Sequence, residues 1–274
     1  MSGNDESRWE RRIARAKLLA GEVPSAAEVL TFYAEICTFQ QSLFIQLKRT
    51  LGEVKPGKAA AQFRECFDAK PLLVHVPPLL SLIRRTGTPL LAQAAEELAR
   101  IEAADWGSLL TTYWRAEAHT LEGVPSTHGF FARVLVQPCA ELAASRMGME
   151  LPRAGPPSCP VCCGKPEVGV LREDGHGARR SLVCSFCFTE WGYRRTVCPA
   201  CGEERVDSLP VYTASQFEHV RVEACDTCKT YIKTVDLTKN GLAVPEVDEL
   251  ATVALTLWAE EKGYRKLQPN LFGI

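Results

Sequence analysis

The 274-residue chain has no charge surplus, with 32 Lys and Arg against 33 Asp and Glu and a formal net charge of −1. A near-neutral molecule sets up no field that would draw it to nucleic acid or an anionic lipid surface, so any such binding would have to be local. Long apolar runs are missing too. A membrane-crossing helix needs roughly 18 uninterrupted apolar residues; even the stretch from Leu72 to Ile83 is broken by His75 and two prolines, so no span is expected. The opening Met1-Ser2-Gly3-Asn4-Asp5-Glu6 and the mixed charge through Arg15 lack the basic stretch and apolar core of a secretory signal. The expected location is the cytoplasm. Aromatic residues make up only 8%, yet 46% hydrophobic and 24% charged residues are the proportions of a folded globular chain.

Cysteine, by contrast, is plentiful and segregated. Nine of the 12 fall between Cys159 and Cys228, leaving Cys37, Cys66 and Cys139 elsewhere. In a reducing compartment clustered cysteines are read first as metal ligands or redox groups and only then as disulfides.

From Arg8 to Gly148 the chain reads as five to seven helices. Ser25-Ala26-Ala27-Glu28 after Pro24 has the capping-box pattern, and Val29, Tyr33, Ile36, Cys37, Gln40, Leu43, Phe44 and Leu47 follow at helical spacing. Thr88-Pro89 marks a second start, for a helix expected to run through Leu98 and Ile101 to Gly107. The segment from Ser126 to Met147 is helical with a kink or split expected at Pro138. Cys37, Cys66 and Cys139 sit in apolar helical contexts and read as core residues, as do Trp106 and Trp114. No pattern ties His75, His119 or His128 to a nucleophile or carboxylate, so this half reads as a scaffold or docking surface.

Leu151-Pro152-Arg153-Ala154-Gly155-Pro156-Pro157 is a linker by composition, and four Cys-x-x-Cys pairs follow it. Cys198 and Cys201 lie 39 residues after Cys159 and Cys162, while Cys225 and Cys228 lie 41 after Cys184 and Cys187. One unit of about 40 residues is therefore written twice. Two residues between cysteines let a tight turn bring both sulfurs to one ion at roughly 2.3 Å, so each unit supplies a four-thiolate site. The ligand sets are Cys159, Cys162, Cys184 and Cys187, then Cys198, Cys201, Cys225 and Cys228. Glycine commonly follows the second cysteine of the opening turn, where a positive φ is wanted. Gly202 obeys this, whereas Cys163 occupies the equivalent place in the first unit and has no assigned role. His176 reads as a loop-tip residue and is not needed as a ligand.

Four thiolates leave no open coordination position, which suits a structural ion and excludes metal-activated water. Zinc and iron both accept this cage, so electron transfer stays open beside a structural role. Ribbons of this kind also bind nucleic acid, but residues 159–236 carry ten Lys and Arg against eleven Asp and Glu, without a basic face.

The runs Cys159-Pro160-Val161-Cys162, Cys184-Ser185-Phe186-Cys187-Phe188-Thr189-Glu190-Trp191, Cys198-Pro199-Ala200-Cys201 and Cys225-Asp226-Thr227-Cys228-Lys229-Thr230-Tyr231-Ile232-Lys233 resemble the bacterial formate dehydrogenase accessory protein family, FdhE. The tail from Tyr264 to Phe272 is similar to the family's ending, and the Cys162-Cys163 doublet is the visible departure. The resemblance implies an α+β multidomain chain: a helical domain at 1–154, rubredoxin-like (zinc-ribbon) four-cysteine metal domains at 155–196 and 197–240, and a C-terminal helix and tail at 241–274. It implies a non-catalytic, chaperone-like maturation protein that binds the catalytic subunit of a formate dehydrogenase in the cytoplasm before export. Its two ions would be zinc or iron, one per four-cysteine site. Thr189, Glu190 and Trp191 form a candidate partner-contacting patch, and a rubredoxin-type electron carrier is the alternative.

Overall fold

The computed structural model describes residues 3–50, 63, 65, 67–116, 126–175 and 177–274. Cys66, His119 and His176 lie outside the described residues. A helical first half, a sheet carrying two four-cysteine groups and C-terminal helices reproduce the expected α+β class.

The chain divides into two compact units, one of residues 35–149 and one that combines the first 34 residues with 150–274. In the first unit, α2 (Ala27–Thr50) continues across the boundary and is followed by α3 (Lys70–Leu73), α4 (Val76–Thr86), α5 (Pro89–Leu98), α6 (Ala103–Arg115) and α7 (Ser126–Arg146). Two details depart from the sequence expectation. Thr88 does cap α5, accepting from the Leu91 amide at 3.4 Å, but the helix stops at Leu98 and a separate one starts at Ala103. Trp106 pins this corner, donating from its indole N–H to the Leu98 carbonyl at 3.3 Å. And α7 runs unsplit through Pro138, whose missing N–H frees the Val134 carbonyl four residues back. The Gln40 amide donates to that carbonyl at 3.0 Å, replacing the lost helical bond. Cys37 and Cys139 are buried core residues, and Trp114 stacks between Phe63 and Phe67 at 4.8 and 4.5 Å.

The second unit is built on a sheet of β1 (Pro166–Asp174), β2 (Gly177–Cys184), β3 (Glu190–Gly192), β4 (Val211–Thr213), β5 (Val220–Cys225), β6 (Thr230–Asp236) and β7 (Arg265–Lys266). Its order is β3-β2-β1-β6-β5-β4, with β7 also pairing β6. β1 and β2 form the antiparallel hairpin of the first repeat, and β5 and β6 that of the second. The two repeats on either side of residue 196 are joined edge to edge. β1 pairs in parallel with β6 from Val168↔Lys233 to Leu171↔Asp236, making one sheet of both. Gly169 permits this seam, since a Cβ there would stand 2.3 Å from Thr234 Oγ1. Val168, Val170, Val222, Tyr231 and Val235 then share one core with Leu255, Ala259 and Tyr264. The C-terminal segment holds two helices rather than one, α8 (Pro245–Ala251) and α9 (Val253–Glu261).

The first helix, α1 (Gly3–Glu22), belongs to this sheet unit and not to the helices after it. The cause is ionic. Arg8, Arg12 and Arg15 recur on one face at helical spacing. Arg8 donates to the Phe188 carbonyl at 3.1 Å, Arg12 pairs with Glu246, and Arg15 holds Asp248 with both nitrogens at 3.0 and 2.5 Å. Arg12 also lies over the rings of Trp9 and Phe188.

Candidate metal centres

The two opening cysteine pairs sit on turns built by the same backbone bonds. In the first opening turn the Cys159 amide donates to the Gly164 carbonyl at 2.8 Å and the Cys163 amide to the Cys159 carbonyl at 2.9 Å; in the second, Cys198 donates to Glu203 at 2.9 Å and Gly202 to Cys198 at 3.0 Å. The residue after each pair has a positive φ: 63° at Cys163, 50° at Phe188, 78° at Gly202 and 54° at Lys229. Three of four are not glycine, so strain of about 1–2 kcal/mol each is accepted to turn the sulfurs inward.

The turns bring together the two sets expected from the spacing. Within each set the four sulfurs lie within 4.8 Å of one another. Across the first set Cys159–Cys187 and Cys162–Cys184 are 3.6 and 3.4 Å apart, and across the second Cys198–Cys228 and Cys201–Cys225 are both 3.7 Å. Sulfurs bound tetrahedrally at roughly 2.3 Å stand about 3.8 Å apart, so both cages fit one zinc- or iron-sized ion. The amides of Val161, Gly164, Phe186 and Ala200 point at sulfurs at 3.4 Å, a donor shell that suits thiolate rather than thiol. Without a cation, hydrogen bonds from Cys162, Cys184 and Cys187 push Cys159 toward the thiolate while Cys162 and Cys184 are held as thiols. A divalent ion held by the four sulfurs would offset their charge and allow all four to ionise. Cys163 is exposed and outside both sets.

The surroundings differ sharply. All four sulfur-bearing residues of the first set are buried, whereas Cys201 is exposed and Cys228 half-buried in the second. Around the first, Phe186, Phe188 and Trp191 are buried; the matching Thr227 and Lys229 of the second are exposed. At Cys228 burial opposes ionisation, but the Thr230 hydroxyl and the facing thiols outweigh it and bring the group down to about 7.

Thr189, Glu190 and Trp191 are engaged inside the first ribbon. The Thr189 hydroxyl lies 3.1 Å from Cys187 Sγ, and Glu190 accepts from Arg172 at 2.8 and 2.7 Å and from Ser181 at 2.6 Å. Trp191 is buried and donates to the Pro156 carbonyl at 2.9 Å. Thr189 and Glu190 keep partial exposure.

A buried ionic cluster beneath the sheet escaped sequence reasoning. Lys233, at 1% exposure, pairs with Glu249 at 2.8 Å and donates to the Glu249 and Thr252 carbonyls at 2.6 and 3.2 Å. Lys266 joins the same carboxylate, and Asn270 caps it at 3.1 Å. Burial resists ionisation of Glu249, but the two ammonium groups overcome it and hold the carboxyl down to about 2. Beside it, Asp248 binds His219 at 2.7 Å as well as Arg15. The signal available was the acid-rich run Pro245-Glu246-Val247-Asp248-Glu249, which reads as a solvated helix start.

Residues 158–195 match the family described as "FdhE, central domain" and residues 197–272 that described as "FdhE, C-terminal domain". The chain is 32% identical to the FdhE homolog of Aquifex aeolicus over 96% of this chain and 95% of that one. It is 28% identical to that of Pseudomonas putida over 96% and 86%. In fold it is similar to the crystal structure of the FdhE protein from Pseudomonas aeruginosa, with a TM-score of 0.69, 24% identity and coverage of 97% of this chain and 96% of that one.

Proposed function

The chain belongs to the FdhE family of formate dehydrogenase accessory proteins, and from that premise we propose that it is a non-catalytic maturation factor that binds the enzyme's catalytic subunit in the cytoplasm before export. Likeness along almost the whole chain is the observation that carries this reading. The closed donor sets agree with it. Four thiolates around each ion leave no position for substrate or water, so the ions would hold the turns that shape a binding surface. No helix among the described residues is long and apolar enough to cross a membrane.

Cys159, Cys162, Cys184 and Cys187 would hold one zinc or iron ion and Cys198, Cys201, Cys225 and Cys228 the other. Bound iron would add one-electron chemistry; zinc would not. Thr189 and Glu190 would offer the client their exposed atoms, with Trp191 as the wall behind them.

The test is capture with the cognate catalytic subunit expressed in the cytoplasm, together with formate oxidation in cells lacking this protein. Retention of the subunit and loss of formate oxidation are expected; normal oxidation without the protein would sink the reading. The electron-carrier alternative has one observation in its favour, the exposed Cys201 at the second site. Anaerobic purification separates the two, since stoichiometric colourless zinc removes the carrier and a red species that bleaches reversibly supports it.

A further inference from the structure

The sheet of the second unit has two edges, and they are treated differently. At β3 the Gly155 amide donates to the Gly192 carbonyl at 2.7 Å and the Gly192 amide to the Pro152 carbonyl at 3.1 Å, so the linker covers that edge. At the other edge β4 pairs only with β5, and Val211 is 52% exposed. An open edge presents main-chain donors and acceptors to any extended segment.

Beside this edge lies a cavity of about 240 Å³. Small-molecule sites usually have roughly 300–1,000 Å³, so this one suits one or two inserted side chains better than a cofactor. Its walls are mostly apolar, with Val197, Leu209, Ile232 and Leu267 inside and the exposed Val206 and Val211 among the lining residues. The charges on its lining are unbalanced. Arg180, Arg195 and Arg221 are present with Glu223 as the single acid. Arg180 and Arg221 share that carboxylate at 2.6 and 2.5 Å, across strands that β1 and β6 separate. The neighbouring Arg194 and Arg205 are paired with Glu204 and Glu203. Arg195 is exposed, and among the described residues its guanidinium reaches the Ala178 carbonyl at 3.4 Å and no carboxylate. Cys198 and Cys225 form part of another wall, where a loaded second site would carry a formal charge of −2. A bound carboxylate is therefore directed away from the sulfurs and toward Arg195.

We propose that this cavity and the β4 edge receive an extended segment of a partner protein, one that inserts an aliphatic or aromatic side chain and sets an Asp or Glu beside it on Arg195. This rests on reading the chain as a protein-binding factor and adds what its partner presents. It also places a contact on the edge of the sheet opposite Thr189 and Glu190.

The experiment uses the full chain with both sites loaded. Overlapping 15-residue peptides tiling the cognate formate dehydrogenase catalytic subunit are probed with it, and the best is titrated by fluorescence polarisation against wild type, Arg195→Glu, Val206→Asp and an Arg100→Glu control. Retained peptides should carry an acid next to an apolar residue. Arg195→Glu and Val206→Asp should each weaken binding about tenfold or more, with Arg100→Glu unchanged and affinity falling as salt rises. Both test positions are exposed, and melting temperature with metal content verifies the fold. Retention of basic or uncharged peptides, equal binding by the variants, no peptide bound, or full displacement by 10 mM acetate would overturn the proposal. Binding of the whole subunit separates the two readings: if wild type and variants hold it equally, the cavity is wrong and the accessory role stands, whereas if wild type does not hold it the accessory role itself fails.

Discussion

The two four-cysteine sites share spacing, backbone bonds and sulfur geometry, yet one is sealed and the other half open. Phe186, Phe188 and Trp191 close over the first; Cys201, Thr227 and Lys229 of the second face solvent. Because the donor atoms are the same, any difference in how bound ions would behave must come from the surroundings, which set solvent access and local dielectric. The first group lies buried in the sheet unit, and the second stands partly open to solvent.

The largest effect that can break this comparison is loss of a ligand. Cys184→Ser should remove one ion and cooperative folding of the sheet unit, because the site sits in the core and metal binding supplies much of the folding free energy. Cys201→Ser should remove one ion and leave the melting transition in place. Metal content and thermal denaturation of both variants check this; equal collapse would show that exposure does not grade the sites. In the unmutated protein, a chelator should strip the second ion first, at least about tenfold faster, read by a metal-binding dye. Simultaneous release would mean that the shared sheet couples the sites more tightly than burial separates them.

The shared sheet can be tested directly. A methyl at Gly169 points at Thr234 across the β1–β6 seam. Gly169→Ala should cost about 1–3 kcal/mol as overpacking, and Thr234→Ala should recover part of it. Denaturant melts of the double-mutant cycle give the coupling, and purely additive costs would argue against the seam.

The two four-cysteine groups were legible because thiolate chemistry writes itself as a local spacing: a two-residue gap is a turn, and its repetition is a repeat. The seam was not, because a parallel pairing between repeats has no local signature. α1 was misplaced for a related reason. Arg8, Arg12 and Arg15 look like a solvated stripe until Glu246 and Asp248, more than 230 residues away, supply the other half. The absence of a split at Pro138 was not legible because the residue that satisfies its freed carbonyl, Gln40, lies on another helix.

Those buried pairs also set the response to acid. Glu246, Asp248, Glu249 and Glu223 are all held below the usual carboxylate range in the sheet unit, in each case by basic partners that overcome burial. A carboxyl whose folded pKa is depressed contributes stability above its unfolded pKa, and that contribution disappears as pH falls through the folded value. Glu249→Gln leaves Lys233 and Lys266 unpaired and should cost about 3–5 kcal/mol near neutrality. The gap from wild type should narrow between pH 4.5 and about 2, the folded value of Glu249. Urea melts across that range check it, and a constant gap would mean that packing, not charge, fixes the site.

The smallest effect bears on the positive-φ step of the two opening turns, where their sequences differ. Cys163 and Gly202 occupy the same step, both at positive φ. A non-glycine residue there costs about 1–2 kcal/mol, while glycine loses about 0.4–1 kcal/mol more chain entropy on folding. Cys163→Gly should therefore stabilise the protein by roughly 0.5–1 kcal/mol with both ions kept, because the Cys163 thiol is exposed and outside the four-sulfur set. Gly202→Ala should destabilise by a similar amount in the opposite sense. Chemical denaturation with metal analysis reads both. A Cys163→Gly protein that lost an ion would make Cys163 a ligand, and the first site would then differ from the second in its donors as well as in its cover.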